Sequence, residues 1–136
     1  MASINLTVRS PEKEFFSGEI SEVIFTTPEG SVGVMYGHSP MVASVEPGVM
    51  EIKINDEWKI AAVGPGFAEI IYDTADFFLD SAEWADEIDL VRARDALERA
   101  EHRLKSGLSR MEHMRSQAAM SRALARLKAV QNISGR

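Results

Sequence analysis

Cysteine is absent from this chain of 136 residues, which excludes a disulfide framework, a thiolate nucleophile and any cysteine-ligated metal. No apolar run approaches the roughly 18 residues that a membrane-crossing helix needs. The start, Met1-Ala2-Ser3-Ile4-Asn5-Leu6, has no basic stretch leading into an apolar one, so no secretory signal is expected. Together these absences point to a reducing, cytosol-like compartment. Proline occurs five times and not once after Pro65. Basic side chains are scarce at first: residues 1–87 carry 4 Lys/Arg against 16 Asp/Glu, a net of −12. Residues 88–136 carry 11 against 5, a net of +6, and the two parts sum to the overall −6. A net acidic chain argues against a nucleic-acid partner.

Charge, periodicity and composition all change at Asp86-Glu87-Ile88-Asp89-Leu90-Val91-Arg92-Ala93, which marks the joint of the protein. Before it, Ile4, Leu6 and Val8 alternate with Asn5 and Thr7, the period-2 pattern of a strand with one buried face. Strands are expected again at Ile20–Thr26, Val32–Tyr36, Met41–Val45, Val49–Ile54, Trp58–Val63, Phe67–Tyr72 and Phe77–Leu79. The breaks between them carry turn chemistry. Thr27-Pro28-Glu29-Gly30 suits a tight turn, Glu46-Pro47-Gly48 a type II turn with glycine at positive φ, and Asn55-Asp56 a hairpin tip. Ser17-Gly18 reads as a further turn. Eight to ten short strands without intervening helices predict an antiparallel β-sandwich or flattened barrel over residues 1–85. The absence of strand–helix alternation argues against a parallel nucleotide-binding sheet.

Beyond the joint, Leu90, Ala93, Leu97, Ala100 and Leu104 recur at helical spacing, and Gly107 is placed to end that helix. Ser109-Arg110-Met111-Glu112 has the spacing of a capping box that starts a second helix, running to about Val130. Its apolar side is read as Met120, Leu124, Leu127 and Ala118, Ala119, Ala123 and Ala125. A short connection makes residues 86–136 an antiparallel α-helical hairpin, and the whole an α+β chain. A seam lined mostly with alanine buries little area, so this hairpin is a candidate for opening.

The enzyme signatures of phosphate loops, nucleophile elbows and zinc helices are missing. His38, His102 and His113 have no ligand spacing, and the many carboxylates of residues 12–87 offer no distinguishable catalytic pair. The stretch Gly30 to Pro40 is a strand with constrained turns at both ends, and His38 beside its turn would face outward. Arg92, Arg99 and Arg103 share one helical face, as do Arg115, Arg122 and Arg126. Such stripes are either solvated, with i,i+4 pairs such as Asp95–Arg99 and Glu98–Arg94, or a clamp for a polyphosphate or an acidic partner.

Several short patterns appear in a fixed order along nearly the whole chain. They are Phe16-Ser17-Gly18; Glu29-Gly30-x-x-Gly33-Val34-x-x-Gly37-His38-x-Pro40; Pro47-Gly48-Val49; Gly66-Phe67-Ala68-Glu69; and Ile88-Asp89-x-x-Arg92-Ala93 with a later Arg122-Ala123. In this order the chain resembles the epsilon subunits of bacterial-type F-type ATP synthases. The resemblance implies a non-catalytic central-stalk subunit, its sandwich set against the gamma subunit and the c-ring. It implies a hairpin that permits turnover when folded. When extended, the hairpin restrains ATP hydrolysis by reaching the catalytic beta and alpha subunits. Association with the cytoplasmic side of the plasma membrane would then come only through the complex. No cofactor is required, and ATP is implied as a regulatory ligand of the folded hairpin. The positions that match are Glu83, Ile88, Asp89, Arg92, Ala93, Arg99, Arg122 and Arg126, with the arginines for phosphates and Ile88, Asp89 and Ala93 for the base. Glu29, Ser31 and His38 fall in the loops implied to face partners. The competing readings are a stand-alone β-sandwich hydrolase and a free-standing helical-hairpin adaptor.

Overall fold

The computed structural model describes residues 2–107 and 109–135, with side chains to Asn132. Ten strands come first: β1 (Ile4–Arg9), β2 (Glu14–Ile20), β3 (Glu22–Thr27), β4 (Gly30–Met35), β5 (His38–Val45), β6 (Gly48–Ile54), β7 (Glu57–Val63), β8 (Gly66–Tyr72), β9 (Thr74–Leu79) and β10 (Ala82–Trp84). A 3-10 turn at Ala85–Glu87 leads into α1 (Leu90–Leu104) and α2 (Arg110–Gly135). The strands form two five-stranded sheets, ordered β2-β1-β9-β8-β5 and β10-β7-β6-β3-β4. Every ladder is antiparallel except β1–β9, where Asn5 to Arg9 run alongside Thr74 to Phe78.

The alternation read in the first strand is what fills the interior. Ile4, Leu6 and Val8 are fully buried, with Asn5 and Arg9 turned to solvent. The facing sheet contributes Val23, Phe25, Met50 and Ile52, also fully buried. Phe25 meets Phe77 edge to face across the core, with ring centroids 4.9 Å apart. That arrangement places the positive ring edge against a negative ring face.

Local geometry departs from the sequence reading at three places. Ser17 and Gly18 do not turn; both lie within β2, paired with Thr7 and Leu6. Gly18 leaves room for the Phe16 ring two residues back, whose Cζ would sit 3.4 Å from any added Cβ. Gly48 does not take the positive φ of a type II turn. It opens β6 opposite Val63, and the Glu46 N–H donates to Thr26 O at 2.8 Å, drawing the chain across to the second sheet. Leu124 is 48% exposed rather than packed, and Ala118 is exposed too. Other turns follow their residues. Asn55 and Asp56 both take positive φ, 51° and 64°, the requirement of a two-residue type I′ hairpin.

Gly66 is fixed by close approach. A Cβ there would lie 2.0 Å from Phe78 O, a backbone atom that cannot swing away. Gly66→Ala should therefore lower the denaturant midpoint, at a cost of about 3 kcal/mol. An unchanged midpoint would mean that the β8–β9 ladder yields more readily than its register indicates.

Both helices start on side-chain caps, the second of them the capping box written into the sequence. Asp89 caps α1, Gly107 takes φ 53° beyond its end, and Ser109 Oγ accepts the Glu112 N–H at 3.3 Å. The Ser109 hydroxyl donates in turn to Glu112 Oε1 at 2.9 Å. Helix α2 is buried on two sides. Ala129 sits on Ile60, Ala62 and Ala85 at the outer face of the β10-β7-β6-β3-β4 sheet, and Ala125, also buried, borders the same small depression as Ala62. On the side turned away from that sheet, α1 covers Ser116 and Ala123, both buried. Leu124 falls between the two faces, which is why it remains exposed.

Candidate functional site

A cleft of about 510 Å³ opens where the end of the sandwich, the start of α1 and the middle of α2 meet. Glu83 reaches it from β10, where it pairs with Ala62 at the edge of the sheet. Glu87 and Ile88 come from the connection, and Ile88 is held by its N–H donating to Ala85 O at 3.3 Å. Asp89 ends that connection as the helix cap. From α1 come Arg92, Ala93, Asp95, Ala96 and Arg99. Positions 92, 95, 96 and 99 are spaced i, i+3, i+4 and i+7, so one stripe of the helix forms the wall. Arg126 closes the cleft from α2.

Arg126 is also the tie between the hairpin and the sandwich. Its Nε–H donates to Glu83 Oε2 at 2.7 Å. Both side chains are more than a third exposed, so screening keeps the pair modest, at about 0–1 kcal/mol. Donation through Nε leaves the outer edge of the guanidinium for a second partner. Arg122 does not line the main cleft. It borders a small depression alongside, which shares Glu83 and Arg126.

Seven of the eight positions singled out in the sequence thus surround one cleft, with Arg122 beside it. Arg103 and Arg115 belong to neither lining, so each arginine stripe is only partly used. Neither Asp95–Arg99 nor Glu98–Arg94 closes to ion-pair distance among the described residues. Glu87, Asp95 and Ala96 were not singled out beforehand. The last two were accessible from the helical spacing that Arg92 and Arg99 set. Four carboxylates against three arginines leave the lining net negative by one, so an anionic group there must be met by individual arginines and not by the overall charge of the cleft.

The other three positions do not form a site together. Glu29 is exposed at the β3–β4 turn, where Thr27 Oγ1 accepts its N–H at 3.2 Å, and exposed Ser31 follows in β4. His38 begins β5, beyond the far end of β4, roughly 20 Å away along a six-residue strand. It is half-buried, with Nδ1 2.7 Å from Ser39 O. Next to it the Tyr36 and Tyr72 rings meet edge to face at 5.1 Å, and their hydroxyls are 3.3 Å apart. Tyr36 donates in that hydrogen bond, and holding its proton on Tyr72 pushes the Tyr36 hydroxyl above the usual phenol range. A different surface is apolar: Val42, Phe67 and Phe78 are exposed on the β2-β1-β9-β8-β5 sheet, with Phe67 and Phe78 stacked at 5.0 Å.

On the other side of β10, Trp84 packs on Phe15 at 4.5 Å and carries Lys59 Nζ over its ring at 4.4 Å. Alternation along the strand therefore turns Glu83 toward the hairpin and Trp84 toward the edge of the sandwich.

Comparison with known proteins identifies both parts of the chain. Residues 3–85 match the family described as ATP synthase, Delta/Epsilon chain, beta-sandwich domain, and residues 86–131 match its long alpha-helix domain. The ATP synthase epsilon chain of Ruminiclostridium cellulolyticum is 44% identical over 129 residues, covering 95% of this chain and 96% of that protein. The epsilon chain of Caldanaerobacter subterraneus subsp. tengcongensis is 37% identical, covering 93% and 92%. The chloroplastic epsilon chain of Nicotiana tomentosiformis is 30% identical, covering 97% and 99%. Among solved structures, a chain in the OSCP/F1/c-ring assembly of Euglena gracilis mitochondrial ATP synthase superposes with a TM-score of 0.82 at 21% identity. That match covers all of this chain and 83% of the other, and it shows a shared fold.

Proposed function

The chain belongs to the family of ATP synthase epsilon chains, non-catalytic stalk subunits of that complex, and from this premise we propose that its hairpin is an ATP-sensitive brake on hydrolysis. In this reading the sandwich docks on the gamma subunit and the c-ring. The exposed apolar patch of Val42, Phe67 and Phe78 supports a partner on that sheet. Glu29 and Ser31, at an exposed turn, suit a contact with the c-ring. Among the described residues no helix is long and apolar enough to cross a membrane. Attachment to the cytoplasmic side of the plasma membrane therefore comes through the complex.

The observation that carries the ATP reading is the cleft itself, of about 510 Å³, with Arg92, Arg99 and Arg126 around it and Ile88 and Ala93 on its wall. Guanidinium groups bind phosphate oxygens through charge-assisted bonds, and an apolar side chain suits the face of a base. The cleft is made from both helices and the end of the sandwich, so a ligand within it binds only the folded hairpin. Differential binding of this kind is what lets a ligand shift a two-state equilibrium. ATP would hold the hairpin down, and ATP depletion would release its basic helices toward the catalytic beta and alpha subunits.

Calorimetry of the purified chain tests this directly. Heat saturating with ATP at one site per chain is the expected result. No heat at millimolar ATP would reduce the arginines to partner contacts.

A further inference from the structure

The family resemblance groups Asp89 with Ile88 and Ala93 as a contact for a base, but one oxygen of its carboxylate is already engaged by the backbone. Asp89 Oδ1 accepts the Arg92 N–H at 3.1 Å, and the Asp89 carbonyl accepts the Ala93 N–H at 3.0 Å. Its backbone is extended, with φ −79° and ψ 108°, as the residue ahead of a helix must be. The two amides that Asp89 holds belong to Arg92 and Ala93, and both residues line the cleft. Arg92 lies in the first turn of α1, whereas Arg99 lies two turns further on, where the helix no longer depends on its cap.

Resting on the reading of this cleft as a nucleotide site, we propose that Asp89 is a positioning residue that presents Arg92 to the ligand and does not itself read the base. Without the cap the first turn frays, and Arg92 leaves the wall while Arg99 stays. Serine keeps the cap without a carboxylate, and alanine keeps neither. A carboxylate that accepted the exocyclic amine of adenine would be lost in both variants.

The test is calorimetry of the full chain with ATP and with GTP, for wild type, D89S, D89A, R92A and the D89A/R92A double variant. D89S should bind ATP within about threefold of wild type, and D89A about tenfold more weakly. The ratio of ATP to GTP affinity should be the same in all of them. The double variant should be no weaker than R92A, because both changes remove the same arginine contact. Amide exchange at Arg92 reads the cap without any ligand, and D89S should protect it where D89A does not. D89S as weak as D89A, a changed ATP-to-GTP ratio, or additive losses in the double variant would overturn the positioning role alone. Absence of ATP heat from the wild type would overturn the nucleotide reading, and the positioning role with it, while leaving the cap to the exchange measurement.

Discussion

Deleting residues 88–136 from the assembled ATP synthase is expected to raise its ATP hydrolysis severalfold while leaving the truncated subunit in the complex. The sandwich carries its own core, from Ile4 to Leu79, without a contribution from either helix, so the deletion leaves a folded domain. What it removes is a basic module that touches the sandwich mainly through small side chains. Ala129 meets Ile60, Ala62 and Ala85, and α1 rests chiefly on α2. A counterpart with the opposite sign separates a brake from a general defect. Ala129 is fully buried, and Ala129→Glu would set an unpaired carboxylate against Ile60, Ala62 and Ala85. That costs several kcal/mol and lifts the hairpin without removing it. Hydrolysis should then fall below wild type. Unchanged hydrolysis in both fully assembled complexes would remove the inhibitory role.

Arg126→Ala should weaken ATP binding by tenfold or more and barely alter the stability of the chain in the absence of ligand. The two effects differ because the two partners differ. The bond to Glu83 at 2.7 Å is more than a third exposed on both sides and worth at most about 1 kcal/mol. A guanidinium bond to a phosphate within the cleft is worth about 1.5–3 kcal/mol, which is roughly tenfold to a hundredfold in affinity. Arg126→Lys keeps the charge but loses the fork, so it should fall between wild type and alanine. Titration calorimetry and a denaturant curve on the same preparations decide the matter. Equal affinities for wild type and alanine would take Arg126 out of the site.

The hairpin was legible because each of its signals is local. Gly107 and the Ser109–Glu112 pair act within one turn, and Arg92 and Arg99 share a face whatever the helix packs on. The cleft was legible from the sequence only through resemblance, since nothing local says that Glu83 and Arg126, 43 residues apart, would meet. The sandwich was legible strand by strand, but not its wiring. The parallel pairing of β1 with β9 joins the two ends of the domain, and β10 is too short to show a period. Ser17-Gly18 has turn composition but strand surroundings, and tertiary pairing with Leu6 and Thr7 prevailed. Leu124 misled for a further reason. A helix covered on two sides by small residues has no single apolar stripe, so its largest side chain need not mark the buried one.

The alanine contacts on both sides of α2 also set how the hairpin answers to temperature. Heat capacity on opening scales with the apolar area newly hydrated, and methyl groups such as those of Ala93, Ala100, Ala123 and Ala129 expose little of it. Release of the hairpin should therefore follow a nearly straight van't Hoff line, whereas unfolding of the sandwich, with Phe25 and Phe77 at its centre, should curve. The balance between folded and released hairpin would then shift smoothly on warming, with neither a cold nor a warm optimum to cross.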